Sequence, residues 1–211
     1  MTEAFIFDLD GVITDTSEYH FMAWQEIARE LGIDFTRRQN ERLKGVSRRK
    51  SFEIILEEGG IVLGEEERLY YCKKKNDIYL KYINAISRKN LLPGVKEFIG
   101  NARRKGYKIA LGSASKNALL ILQRLQIERD FDAVIDGTKV SKAKPDPEVF
   151  VKGAGALGVP CESCLVFEDS AAGVEAAHRC GMKAVGVGNE NVAKQADYFI
   201  RGFEEVQFEV C

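Results

Sequence analysis

The spacing of apolar residues changes twice along the chain. Residues 5–7 are a continuous apolar run close to the N-terminus, which is typical of a buried parallel strand. From residue 15 to 90 apolar residues recur three or four positions apart, as on one helix face, and no core strand is predicted. The first predicted helix has an apolar face of Phe21, Trp24, Ile27, Ala28 and Leu31 and stops at Gly32. Further helices are predicted at about 36–43, 48–58, 65–87, 94–105, 116–126, 146–157 and 171–180, and further strands at 107–112, 133–135, 164–167, 184–187 and 198–200.

This order of elements predicts an α/β fold in which a helical domain interrupts the core. Strands that alternate with helices are typical of a parallel sheet with right-handed crossovers. We therefore predict a Rossmann-like parallel sheet core of residues 1–14 and 92–211, with an inserted α-helical cap domain of residues 15–91. Pro93-Gly94 marks the return to the core. A helical block inserted at the ligand-binding end of a sheet is well placed to act as a lid that excludes water.

The charge balance argues against partners that are recognised by bulk electrostatics. The 211 residues include 31 basic and 32 acidic side chains, with a net charge of -1, so neither nucleic acid nor a membrane surface is attracted overall. No apolar segment approaches the roughly 18 residues of a membrane span, and no signal peptide precedes the first strand. We therefore expect a cytoplasmic protein with a small-molecule substrate, and we expect a monomer.

The cysteines do not predict a disulfide framework. There are five of them, an odd number with scattered spacing. Cys161 and Cys164 have the spacing of a redox motif, but no second pair completes a zinc site. Ordinary reduced thiols are the interpretation we adopt, and a redox pair is the alternative.

Two carboxylates follow the first predicted strand. Asp8 and Asp10 leave it two residues apart, and Gly11 allows a sharp turn and a close approach of the backbone to a ligand. In open α/β sheets ligands bind at the carboxyl ends of the strands. Two neighbouring carboxylates repel each other unless a cation or a proton separates them, and Mg²⁺ binds such pairs together with phosphate oxygens. An isolated Asp-x-Asp is also compatible with a solvated turn.

Three later loops carry further candidates. Ser113 follows the second strand at a predicted helix start, where backbone amides bind anions, although a simple N-cap is the alternative. Lys144 precedes Pro145 and Pro147, which fix the loop, although a solvated lysine is the alternative. Glu168 and Asp169 close the fourth strand as a second acidic pair. Asp169 is the predicted metal ligand and Glu168 a direct or water-mediated partner.

These four segments, in this order, resemble the motifs of the haloacid dehalogenase superfamily. The resemblance implies an HAD-like fold in which Asp8 is the phosphoryl-accepting nucleophile and Asp10 the general acid and base. It implies that Ser113 holds the phosphate, that Lys144 neutralises charge, and that Mg²⁺ is bound by Asp8, the backbone carbonyl of Asp10, and Asp169. The full set of catalytic candidates is Asp8, Asp10, Thr16, His20, Ser113 and Lys144, and the metal candidates are Asp8, Asp10, Glu168 and Asp169.

The predicted cap contains the segments Glu18-Tyr19-His20-Phe21, Ala23-Trp24, Lys44-Gly45-Val46-Ser47-Arg48 and Lys73-Lys74-Lys75-Asn76-Asp77, and also Ser51. In these residues it resembles the β-phosphoglucomutase family of that superfamily. Arg48 follows a glycine between two predicted helices and can bind phosphate bidentately, although a charged helix start is the alternative. In that family the residue matching His20 couples lid closure to the acid/base aspartate. The substrate-binding candidates are Trp24, Lys44, Gly45, Val46, Ser47, Arg48, Ser51 and Lys75 in the predicted cap and Ala114, Ser115, Lys116 and Asn117 in the core. Residues 33–43 and 57–72 follow no pattern of the family, and residues 203–211 are short for a final helix.

The resemblance implies a Mg²⁺-dependent phosphohexomutase that interconverts β-glucose 1-phosphate and glucose 6-phosphate through an aspartyl phosphate and a bisphosphate intermediate. A sugar-phosphate phosphatase of the same superfamily is the main alternative. A non-catalytic sugar-phosphate-binding regulator and a phosphonate hydrolase with a Schiff base on Lys44 are weaker ones. The sequence does not select the hexose.

Overall fold

The computed structural model describes residues 1–43 and 46–206. The chain divides into two compact units, an α/β unit of residues 1–15 and 87–211 and a helical unit of residues 16–86. No strand occurs in the described part of the helical unit. No helix among the described residues is both long enough and apolar enough to cross a bilayer.

The α/β unit is built on a parallel sheet with the strand order β3-β2-β1-β4-β5-β6. The strands are β1 (Ala4–Phe7), β2 (Lys108–Gly112), β3 (Ala133–Ile135), β4 (Cys164–Glu168), β5 (Lys183–Val187) and β6 (Tyr198–Ile200). Phe7 is in register with Leu111 of β2 and with Phe167 of β4. The chain order of the strands reverses at β1, and ligands of open α/β sheets bind at such a switch point.

In the α/β unit the α-helices alternate with the strands. In the described part of the helical unit the regular structure consists of α-helices and one short 3₁₀ turn. The α-helices are α1 (Ser17–Glu30), α2 (Arg37–Asn40), α3 (Arg48–Gly59), α4 (Glu65–Ile83), α5 (Val95–Arg104), α6 (Ala118–Leu125), α7 (Glu148–Leu157), α8 (Ala171–Arg179) and α9 (Glu190–Ala193). Short 3₁₀ turns lie at Glu41–Leu43, Arg88–Asn90, Glu128–Asp130, Cys161–Ser163 and Phe203–Glu205.

The side chains of β1 alternate between two buried layers, as the pleat of a strand requires. Ile6 packs in one apolar cluster with Phe150 of α7 and Val174 of α8. On the other face Phe7 stacks on Phe167 with ring centroids 4.7 Å apart. Because β1 is buried on both faces, the segment that follows it has a rigid base.

The helical unit has its own apolar core. Trp24 of α1 stacks on Phe52 of α3 with ring centroids 5.6 Å apart, and Tyr19 of α1 stacks on Tyr82 of α4. Ser47 caps α3, since its side chain accepts a hydrogen bond from the Lys50 amide. The aromatic contacts fix α1, α3 and α4 relative to one another.

Candidate active site

The carboxyl ends of three adjacent strands meet at one edge of the sheet. Asp8 follows β1, its amide donating to the Phe167 carbonyl at 2.9 Å, and Ser113 follows β2, its amide donating to the Ile135 carbonyl at 2.9 Å. Glu168 ends β4 and Asp169 follows it. Asp8, Ser113 and Glu168 are all buried. The sheet therefore assembles polar side chains that are far apart in the sequence.

Lys144 joins this group from the loop between β3 and α7. Its Nζ donates to Asp8 Oδ1 at 2.6 Å, to Glu168 Oε1 at 2.5 Å and to the Gly112 carbonyl at 3.2 Å. The lysine is only 4 % exposed. Burial alone would lower the pKa of Lys144, but Asp8 and Glu168 outweigh burial and raise the pKa, so the ammonium stays charged.

The pKa of the Asp8 carboxyl group lies close to neutral pH. Burial raises the pKa of Asp8 to about 7, the Lys144 charge opposes the rise, and the negative charges of Glu168 and Asp10 reinforce it. A buried, crowded carboxylate of this kind is strongly stabilised by additional positive charge. A divalent cation beside Asp8 would supply it.

The donor set fits such a cation. Asp8, Glu168 and Asp169 each offer a carboxylate oxygen, and these oxygens lie within 4.8 Å of one another. Three oxygen ligands and one neighbouring ammonium leave an excess of negative charge, which suits a hard divalent metal ion. The side chain of Asp10 is not part of this group.

Gly11 makes room for Asp169. Its φ is +76°, and a Cβ atom placed on it would lie 2.3 Å from Asp169 Oδ2. Any larger residue would therefore be strained and would displace the carboxylate. The glycine of the first loop thus positions an acid of the fourth strand.

The loop of residues 113–117 is ordered by its own hydroxyl groups. Ser113 Oγ accepts from the Ser115 amide at 3.1 Å, and Ser115 Oγ accepts from the Asn117 amide at 3.2 Å. Ser113 is buried, Ala114, Ser115 and Asn117 are half-buried, and Lys116 is exposed. A hydroxyl that accepts from an amide keeps its own proton to donate to an anion.

A turn at Gly137 contacts the backbone of that loop. The amide of Gly137 donates to the Ser115 carbonyl at 3.1 Å. A Cβ atom on Gly137 would lie 2.2 Å from the carbonyl oxygen of Ala114. The two backbones therefore approach as closely as they do only because residue 137 has no side chain.

The loop that carries Lys144 is anchored by Glu148. Oε2 of Glu148 accepts from the amides of Ser141 at 2.9 Å and Lys142 at 2.8 Å, and Oε1 accepts from Lys152 at 2.5 Å. Lys152 and these amides lower the pKa of Glu148 to about 2. Sequence reasoning did not find this residue, whose only signal was an acid in the first turn of a predicted helix.

The helical unit holds a separate buried cation. Lys75 is 1 % exposed, and its Nζ lies 2.7 Å from His20 Nδ1. It also lies over the rings of Trp24 at 5.1 Å and Tyr79 at 4.6 Å. Burial, Lys75 and Arg48, in that order, lower the pKa of His20 well below its usual value. His20 is therefore neutral and accepts from Lys75, so its proton lies on Nε2.

Arg48 is the second cation of this unit. Its Nη2 donates to Asn76 Oδ1 at 2.6 Å. Burial lowers the pKa of Arg48, although Cys72 and Tyr79 oppose the shift. Because the ordinary pKa of a guanidinium is very high, Arg48 stays charged despite this shift. It is partly removed from solvent, and it would therefore bind an anion strongly.

The remaining candidates of the helical unit lie in different surroundings. Thr16 and Ser51 are buried, and Thr16 Oγ1 accepts from the Tyr79 hydroxyl at 3.1 Å. Val46 and Ser47 are half-buried just before α3. Lys44 and Gly45 lie outside the described residues. Tyr79 is a contact that sequence reasoning missed, although it lies four residues after Lys75 and thus on the same helix face.

A family model of haloacid dehalogenase-like hydrolases matches residues 2–181. The chain belongs to this family. The β-phosphoglucomutase of Bacillus subtilis is 42% identical over 212 residues, which cover 99% of this chain and 93% of that protein. The phosphorylated carbohydrates phosphatase of Thermotoga maritima is 34% identical over 186 residues, 87% of this chain and 83% of that protein. The crystal structure of a β-phosphoglucomutase from Clostridium difficile has a TM-score of 0.95 and 41% identity, covering 99% of this chain and 95% of that chain.

Membership of the haloacid dehalogenase-like family confirms the predicted superfamily and the predicted α/β fold with a helical insertion. The relatives include both mutases and phosphatases of phosphorylated sugars. The fate of the phosphoryl group therefore depends on features beyond the shared α/β site.

Proposed function

We propose that this chain is a Mg²⁺-dependent phosphohexomutase that interconverts β-glucose 1-phosphate and glucose 6-phosphate. The observation that carries the proposal is the pair of separate cationic sites. The α/β unit holds Lys144 beside Asp8, and the helical unit holds Lys75 and Arg48 in buried or partly buried places. A mutase needs two anion sites because its intermediate carries two phosphates. Near full-length similarity to two β-phosphoglucomutases supports the same conclusion.

Asp8 is the proposed nucleophile. Its carboxylate forms a bond to one phosphorus of the sugar bisphosphate while the bond between that phosphorus and its sugar oxygen breaks, and Asp10 gives a proton to that oxygen, which leaves a sugar monophosphate. In the return half-reaction a free hydroxyl of a sugar monophosphate gives its proton to Asp10 and attacks the aspartyl phosphate, which regenerates the bisphosphate and frees Asp8. Lys144 favours the ionised form of Asp8 and offsets the charge of the phosphoryl oxygens, and Ser113 donates a hydrogen bond to one of them.

Asp8, Glu168 and Asp169, with the backbone carbonyl of Asp10, are the proposed ligands of Mg²⁺. When bound, the ion would offset the crowded carboxylates and the charge of the transferring group. The Gly11 turn leaves the space for Asp169 that this ligand set requires.

The helical unit is proposed to bind the phosphate that is not being transferred. Arg48 and Lys75 supply the charge, and Ser47 and Ser51 supply hydroxyl groups. Lys44, Gly45, Val46, Trp24 and the loop residues 114–117 are proposed to complete recognition of the sugar phosphate. His20 is proposed to couple phosphate binding in this unit to proton transfer by Asp10. The reason is that His20 is neutral and accepts a hydrogen bond from Lys75, one of the proposed phosphate-binding residues. A single chain carries all these groups, so we propose that a monomer suffices.

A phosphatase is the second candidate, favoured by similarity to the Thermotoga maritima enzyme. Phosphorus NMR decides between them, with Mg²⁺, β-glucose 1-phosphate and a catalytic amount of glucose 1,6-bisphosphate. A glucose 6-phosphate signal without inorganic phosphate would establish the mutase. Growth of inorganic phosphate instead would establish the phosphatase. The Asp8→Asn variant is the control, since both reactions require the nucleophile.

A further inference from the structure

Gly173, in the first turn of α8, lies against the carboxylate of Glu168. A Cβ atom placed on Gly173 would lie 1.8 Å from Glu168 Oε1, 2.0 Å from Cδ and 2.6 Å from Cγ. These distances are far below van der Waals contact. Glu168 therefore occupies the space that any other residue at position 173 would fill.

The glutamate has little freedom to move away. Its Oε1 accepts from Lys144 Nζ at 2.5 Å, and its Oε2 accepts from the amide of Ser170 at 2.9 Å and from the Ser170 hydroxyl at 3.0 Å. Glu168 is 1 % exposed. Displacing its carboxylate would break charge-assisted hydrogen bonds in a buried place, where they are costly to lose.

The helix itself gives no reason for a glycine. Gly173 does not have a positive φ, and glycine lowers helix stability relative to alanine. Its amide donates to Ser170 Oγ at 3.1 Å, a bond that any residue except proline could make. The missing side chain therefore matters for the glutamate and not for the backbone.

We propose that Gly173 is a positioning residue of the phosphoryl-transfer site. By leaving space for the Glu168 carboxylate it fixes Lys144 between Glu168 and Asp8. It also holds one of the three carboxylates that would surround the metal ion. The effect on turnover rests on the proposed mutase function, whereas the effect on the carboxylate group does not.

The test compares two glycine to alanine substitutions in helices. Gly173→Ala is expected to lower kcat roughly 100-fold, because a displacement of about 1 Å in a site costs this much, with little change in KM for the sugar phosphate. It is also expected to weaken Mg²⁺ binding, measured by isothermal titration calorimetry without substrate. Gly155→Ala in α7 is the matched control, since a Cβ atom there meets nothing within 4 Å.

A second substitution separates a displaced glutamate from general damage. Aspartate is shorter than glutamate by one methylene, about 1.5 Å, so Glu168→Asp withdraws the carboxylate from position 173. Adding Gly173→Ala to Glu168→Asp is therefore expected to cause a much smaller further loss of Mg²⁺ affinity than Gly173→Ala causes alone. Such non-additivity would mark direct coupling of the two side chains.

Wild-type Mg²⁺ affinity and turnover in Gly173→Ala would overturn the proposal, and so would additive losses in the double variant. If the wild type makes no glucose 6-phosphate, the proposed function fails. The calorimetric comparison would still test the role of Gly173, so the two failures are distinguishable.

Discussion

Lys144 Nζ lies 2.6 Å from Asp8 Oδ1, although 136 positions separate the two residues in the sequence. The same nitrogen contacts Glu168, so one ammonium group connects the ends of β1 and β4 with a loop beyond β3. Asp8 and Glu168 are buried carboxyl groups, and Lys144 donates a hydrogen bond to each of them. Folding of the α/β unit and its chemistry therefore depend on the same ion pairs.

Replacing this lysine should harm both stability and activity. Lys144→Met keeps the length of the side chain but leaves two buried carboxylates unpaired, which we expect to cost about 3 kcal/mol of unfolding free energy. Turnover should fall roughly 100- to 1,000-fold, as when a charge-stabilising donor is removed. Urea unfolding and steady-state kinetics measure the two effects.

Lys142→Met is the control for that experiment. Lys142 lies in the same loop and its side chain is 69% exposed. Among the described residues, its ammonium forms an ion pair only with Asp146, at 3.3 Å. Its removal should change stability by less than about 0.5 kcal/mol. Equal effects of the two substitutions would contradict the role assigned to Lys144.

The anchor of the Lys144 loop gives a second prediction. Glu148→Gln keeps the shape of the side chain but removes the charge that holds the Ser141 and Lys142 amides. We expect kcat to fall severalfold while KM changes little, because Lys144 is held less firmly. Glu175→Gln is the control, since Glu175 is half exposed and pairs with Arg179 on the surface of α8. An unchanged kcat in Glu148→Gln would show that the loop does not need this anchor.

The Glu148 carboxylate should also contribute to the pH dependence of the free energy of unfolding in acid. The folded-state pKa of Glu148 is depressed to about 2 from an ordinary value of 4.5, so its contribution to stability is present above pH 4.5 and is lost below it. The stability of Glu148→Gln should therefore approach that of the wild type as the pH falls from about 5 to about 3. A constant difference across this range would contradict the assignment.

The sequence locates residues that directly follow strands far better than residues that act through packing. Asp8, Ser113 and Asp169 could be placed together because the carboxyl ends of parallel strands share one edge of the sheet. Lys144 lies on an irregular loop, and only the prolines that follow it, together with the family resemblance, distinguished it from neighbouring lysines. Glu148 and Gly173 were missed because their roles depend on which atoms they meet in three dimensions.

The ends of helices were likewise predicted less accurately than their presence. The helix predicted at 65–87 ends at Ile83, because the Ala85 and Ile86 amides bond to carbonyls three residues back and tighten the last turn. Apolar spacing continues through Ile86, which is buried outside the helix, so periodicity could not reveal the end. Helix α9 spans only four residues, too few for a period to be recognised.

The pair of His20 and Lys75 predicts a pH dependence. Burial and two neighbouring cations lower the pKa of His20 in the folded state, while the unfolded chain keeps a value of about 6.5. The unfolded chain therefore takes up a proton that the folded protein does not, and stability falls as the pH decreases below about 6.5. We expect urea unfolding to show this loss between about pH 7 and pH 5.5, and to show less of it in His20→Gln.

Histidine NMR provides the direct check of that assignment. The ring of His20 should keep the chemical shifts of a neutral imidazole well below pH 6.5, with the proton on Nε2. The His20→Gln spectrum identifies its signals by their absence. Titration of His20 at pH 6.5 or above would contradict the contact with a charged Lys75.

Substitution of Lys75 is expected to affect substrate binding without lowering stability. The lysine ammonium is buried and contacts His20, Trp24 and Tyr79, and moving a cation out of water carries a desolvation cost. Lys75→Met places an apolar chain of similar length there, so we expect stability to stay the same or to rise by about 1 kcal/mol. If Lys75 binds the second phosphate, KM for β-glucose 1-phosphate should nevertheless rise roughly 10- to 100-fold, the size of effect of losing a charged hydrogen bond.

Lys73→Met is the matched control, because it makes the same change at an exposed position of α4. It should leave both KM and stability close to those of the wild type. Transfer of a phosphoryl group to Asp8 from acetyl phosphate, which has no second phosphate, should proceed equally well in Lys75→Met and Lys73→Met. An equal loss of this transfer and of sugar phosphate binding in Lys75→Met would mean that the lysine supports the chemical step, and that the second anion is bound elsewhere.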